Sequence, residues 1–81
     1  MDKTTNSQKK SIEILFKGWV SKSVAGYFLS SFGFYNYSRN SFGESSGKIT
    51  IKVAVPADEV KEWIEKLKKE ELTVDAVREV I

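Results

Sequence analysis

Residues 48–70 read KITIKVAVPADEVKEWIEKLKKE, and this stretch decides the fold class. From Lys48 to Val55 the apolar residues Ile49, Ile51, Val53 and Val55 fall at every second position, with Lys48, Thr50 and Lys52 between them. Period two in β-branched residues predicts a strand with one buried and one open face. Pro56 has no N–H to continue a ladder and ends it. The period then changes. Val60, Trp63, Ile64 and Leu67 share one side of a 3.6-residue repeat, which predicts a helix over residues 57–70. Asp58 and Glu59 suit its positive N-terminus, and Lys68 and Lys69 its C-terminus.

Upstream, Ser11 to Trp19 alternates again. Ile12, Ile14 and Phe16 point one way, and Glu13, Leu15 and Lys17 the other, so a first strand is expected. Ser21 has the chemistry of an N-cap, and Val24, Ala25, Phe28, Leu29 and Phe32 follow at helical spacing. A helix over residues 21–32 is expected, stopped by Gly33. The aromatic run from Phe34 predicts a second strand over residues 34–40, and SFGESSGK at 41–48 supplies turn residues. Leu72 to Ile81 reads as a final strand, although VDAVREVI also has a helical reading. The order strand, helix, strand, strand, helix, strand predicts an α+β ferredoxin-like βαββαβ sandwich, a four-stranded antiparallel sheet with two helices on one face. The expected core is Ile12, Ile14, Phe16, Phe28, Leu29, Ile49, Ile51, Val53, Val60, Trp63, Ile64 and Leu67.

With 81 residues the chain is one domain. Residues 1–10 have no large apolar side chain after Met1 and are expected to form a loose polar, basic arm before a domain at 11–81. The composition excludes several classes. There is no cysteine and no histidine, so thiolate and imidazole chemistry and the usual zinc ligand sets are absent. No glycine-rich phosphate loop occurs, and Asp58, Glu59 and Glu62 sit where a helix start accounts for them. No enzyme and no cofactor is expected. The longest uncharged run, Ser23 to Ser38, is too short and too polar to span a membrane, and Glu13 and Lys17 break the first apolar run, so no signal peptide is expected. A cytoplasmic protein is expected.

Helices on one face leave the other face open, and alternation names its residues. These are Glu13, Leu15 and Lys17, with Trp19 in line after them, on the first strand, Lys48, Thr50 and Lys52 on the third, and either the Tyr35, Tyr37, Arg39 set or the Phe34, Asn36, Ser38 set on the second. If Phe34 joins the core, Tyr35, Tyr37 and Arg39 face outward. Residues 1–52 carry a net charge of +5 and residues 53–81 of −3. Rings beside cations suit single-stranded nucleic acid: bases stack on Tyr35 and Tyr37, while Lys17, Arg39, Lys48 and Lys52 meet phosphates. The same pattern also describes ordinary strand composition on a solvated face. Trp19, beside Gly18 at the end of the first strand, would favour an interface if exposed.

The segments IEILFKG, FGFYNYSRNSFG and SGKITIKVAVPADEVKEWIEKLKKEELTVDAV, together covering most of Ile12 to Val80, resemble the small ligand-sensing ferredoxin-like domains of the ACT and NIL type. Asn36 matches a second-strand asparagine often found in such domains. The resemblance implies a regulatory module that pairs with a second copy and binds an amino acid at the interface. Two functions are therefore expected of a non-enzymatic binding module. The first is single-stranded nucleic-acid binding on the open face. The alternative is ligand sensing, homodimerisation or contact with a protein partner.

Overall fold

A computed structural model describes residues 8–80. The strands are β1 (Lys9–Phe16), β2 (Phe42–Ser45), β3 (Lys48–Pro56) and β4 (Val74–Val80), and the helices are α1 (Lys22–Ser31) and α2 (Val60–Lys68). The sheet order is β2-β3-β1-β4 and every neighbouring pair is antiparallel. This is the ferredoxin-like sandwich, with both helices on one face. No helix among the described residues is long and apolar enough to cross a membrane.

Alternation sets the core. Ile12, Ile14 and Phe16 of β1 are fully buried; Ile12 faces Val53 and Ile14 faces Ile51 of β3, with Val55 buried beyond them. Val74 and Val77 of β4, Ala25 and Leu29 of α1, and Val60 and Leu67 of α2 close over them. Phe28, Ile49, Trp63 and Ile64, expected in the core, are half-buried and pack against it. From Phe16 a chain of ring contacts leads outward. Phe16 meets Phe28 edge-on at 5.6 Å, Phe28 meets Phe32 at 4.9 Å, Phe32 meets Trp63 at 6.4 Å, and Trp63 meets Phe34 at 4.9 Å.

Two turns place the middle of the chain. Ser21 Oγ accepts the Val24 N–H at 3.2 Å and starts α1. At the other end the Phe34 N–H donates to the Leu29 carbonyl (2.9 Å) and the Gly33 N–H to the Ser30 carbonyl (3.0 Å), with Gly33 at φ 86°. This Schellman pattern needs a left-handed residue, which glycine supplies without strain. The second turn joins β2 to β3 through Ser46 and Gly47, both at positive φ (53° and 79°). Two left-handed residues make the tight hairpin whose twist matches the strands. Replacing Gly47 with valine puts a β-branched side chain there and should cost about 1–2 kcal/mol, read as a lower urea midpoint. Gly47→Asn should recover most of the loss, because asparagine tolerates this conformation.

The second strand is therefore not at 34–40, where the aromatic run had suggested it. The tight hairpin puts it directly before Ser46, at Phe42–Ser45, so residues expected to turn are paired instead. Residues 34–38 form a connection that the Schellman turn aims across the end of α2, and a 3-10 turn at Arg39–Ser41 ends it. Other boundaries shift less. The expected arm loses Lys9 and Lys10 to β1, and its first seven residues lie outside the described residues. The second helix starts as a 3-10 turn at Ala57–Glu59 and stops at Lys68. The final segment is a strand.

Candidate functional site

The open face is organised in rows across the strands. Glu13 stands between Arg78 of β4 and Lys52 of β3. One Glu13 carboxylate oxygen accepts from Arg78 at 2.7 and 2.8 Å. The next row is small or apolar: Ala76, Leu15, Thr50 and Gly43. Beyond it Asp75, the extra residue at the irregularity between β1 and β4, accepts from Lys48 at 2.5 Å and Lys17 at 3.4 Å. No aromatic ring belongs to these paired rows.

Lys48, and then Lys17, hold the Asp75 carboxyl below its ordinary value by hydrogen bonding to it, against a smaller upward push from burial. A carboxylate with a lowered folded value stabilises the fold above its unfolded pKa, and that contribution is lost as the pH falls through the lowered value. Asp75→Asn should therefore lower the urea midpoint slightly at pH 7. Variant and parent should converge as the pH falls through the lowered value, and a gap that persists below it would contradict the assignment.

The sequence-expected residues separate. Lys17 and Lys48 meet at Asp75 on the open face. Tyr35 and Tyr37 lie on the 34–38 connection, not on a strand, and do not join that face. Tyr37 is half-buried, donates to the Gly26 carbonyl at 3.2 Å and sits 5.8 Å edge-on to Phe42. Arg39 opens the 3-10 turn outside the sheet. Asn36 lies on the same connection, so its second-strand position in the resemblance is not reproduced. Trp19 is exposed, and its indole N–H donates to the Leu72 carbonyl at 2.9 Å.

Tyr35 and Lys52, however, come together at a place that strand alternation did not single out. β3 has nine residues, and β2 pairs with it only as far as Ile51. Past that point the outer edge of β3 is bare. Ser45 and Lys48 flank a two-residue turn, so they form a mutually hydrogen-bonded pair. Bonded pairs alternate along an antiparallel ladder, so Thr50 also bonds to β2, while Ile51, Val53 and Val55 bond to β1. The Ala57 N–H donating to the Gln8 carbonyl at 3.2 Å continues that alternation. The N–H and C=O groups of Lys52 and Ala54 therefore point away from β1, to the side where β2 has ended. Among the described residues no hydrogen bond reaches them.

The bare edge borders a notch of about 560 Å³ between β3 and the 34–37 segment. Phe34 and Trp63 line it on the helix side, and Lys9, Lys52, Ala54 and Tyr35 also border it. Tyr35 is 72% exposed. Trp63 is held in place: its indole N–H donates to Glu59 at 3.2 Å, and the Lys66 ammonium lies 4.6 Å from its ring centroid. Lys9 and Lys52 share the face turned away from the helices and have no carboxylate within ion-pair distance among the described residues. No cluster of acidic residues able to hold a metal ion occurs among the described residues. Comparison with protein families, with curated proteins and with solved structures gives no significant match.

Proposed function

We propose that this protein is a non-enzymatic interaction module that takes an extended segment of a protein partner into the notch beside β3. The observation that carries the reading is the bare edge at Lys52 and Ala54. Lys52 and Ala54 are exposed, and an exposed strand edge with free N–H and C=O groups is a template for one more strand. An added backbone would lie at the usual 4.7–4.9 Å strand spacing from β3, and Phe34 and Trp63 offer it an apolar wall for side chains. On the open face, by contrast, Asp75 and Glu13 already engage Lys17, Lys48 and Arg78, which weakens the case for phosphate binding there.

A proline at Ala54 tests this reading. It removes the outward N–H while leaving the bonds from Val53 and Val55 to β1 in place. Titrating the Trp19→Phe protein, which keeps Trp63 as its one tryptophan, with short extended peptides should change the Trp63 emission. Adding Ala54→Pro should abolish the change. An unchanged response in the proline variant would overturn the reading.

One observation favours a second reading. Tyr35 is exposed beside Lys9 and Lys52, which is the ring-and-cation combination of single-strand nucleic-acid binders. Binding of an oligothymidylate that falls steeply with salt and is lost in Tyr35→Ala, but not in Ala54→Pro, would select it.

A further inference from the structure

The notch also specifies what the added strand should carry, an inference that rests on the reading just given. A strand paired with Lys52–Val55 points successive side chains to opposite faces of the sheet. Positions opposite Val53 and Val55 fall on the helix side, against Phe34 and Trp63. Positions opposite Lys52 and Ala54 fall on the open side, where Lys9 and Lys52 lie. Glu59, the acidic residue at the notch, is on the helix side and already accepts from Trp63. The environment thus alternates between apolar on one face and cationic on the other.

We infer that the partner segment is an extended peptide of about five residues in which carboxylate and apolar side chains alternate. The apolar residues pack on Phe34 and Trp63, the carboxylates meet Lys9 and Lys52, and the backbone bonds to Lys52 and Ala54. A second copy of β3 fits less well. Pairing β3 with itself brings the lysines of both copies onto the same face, where like charges oppose each other. Pro56 would also leave a carbonyl of the facing strand without a donor.

Four capped hexapeptides test the inference by isothermal titration and by amide exchange: alternating Glu/Val, alternating Ser/Val, alternating Lys/Val, and a block peptide of three Glu followed by three Val. The Glu/Val peptide should bind about ten-fold more tightly than the Lys/Val peptide at low salt, and the gap should narrow at 0.5 M salt as exposed charges are screened. The block peptide should bind more weakly than the alternating Glu/Val peptide, and the Lys52 and Ala54 amides should become protected in the complex. Equal binding of the Glu/Val, Ser/Val and Lys/Val peptides, with those amides protected, overturns the charge pattern and leaves strand addition standing. No protection of Lys52 and Ala54 with any peptide overturns strand addition itself. Light scattering on the same samples reads the remaining occupant: a dimer that the Glu/Val peptide does not dissociate would assign the notch to a second copy.

Discussion

Phe16→Ala should lower the unfolding free energy by about 3–5 kcal/mol, read from urea denaturation followed by circular dichroism. Phe16 is fully buried, beside the irregularity where β1 shifts register against β4, and its ring abuts Phe28 edge-on. Truncation removes the transfer contribution of the ring and leaves a cavity that a strand on one side and a helix on the other cannot close. Small domains have a total stability of about 5–15 kcal/mol, so the variant should be close to unfolding at 37 °C. Tyr35→Ala is the matched control. Tyr35 is exposed and supports nothing in the core, so its stability change should stay within about 0.5 kcal/mol. A loss below about 1 kcal/mol for Phe16→Ala would mean that the helices do not close over the sheet as described.

The second large effect is on specificity. The double variant Lys9→Glu, Lys52→Glu should reverse the charge preference of the notch, so that the Lys/Val peptide binds more tightly than the Glu/Val peptide by about ten-fold. Each exposed pair contributes little, but reversing two cations converts two attractions into two repulsions. Lys52→Glu also places a carboxylate opposite Glu13 in the β1–β3 register, which should cost a few tenths of a kcal/mol of stability. Binding is therefore compared at a temperature where urea denaturation shows both proteins fully folded. Loss of all peptide binding without reversal would show that the lysines hold the notch in shape rather than select its occupant.

The topology was legible because β1, β3 and α2 carry their periods in apolar residues spaced two or 3.6 apart. Those residues also form most of the core. The second strand was not legible, for a physical reason. Phe34 to Tyr37 has strand composition, but its aromatics are used as anchors: Phe34 packs on Trp63, and Tyr37 bonds to Gly26. Phe42–Ser45 has weak strand composition and is placed by the turn that follows it. Ser46 at positive φ is the decisive residue, and serine gives less warning of that conformation than asparagine or glycine would.

The candidate site was legible only in fragments. Lys52 is on the open face, as alternation indicates, whereas Tyr35 stands on the 34–38 connection, because the second strand lies further along the chain. Alternation shows which side chains point away from the helices. It does not show that Asp75 sits between Lys17 and Lys48, since that residue is carried there by an irregularity between β1 and β4. Lys9 had been assigned to the arm, and Trp63 to the core. The bare edge itself has no signature in residue types, because it arises from the difference in length between β2 and β3.

Amide hydrogen exchange on the free protein tests the central claim most directly. The account predicts that Lys52 and Ala54 exchange at nearly the rates of an unstructured chain, while Val53 and Val55, bonded to β1, are protected by several orders of magnitude. Slow exchange at Lys52 and Ala54 in the free protein would mean that the edge of β3 is already covered, and it would contradict the account.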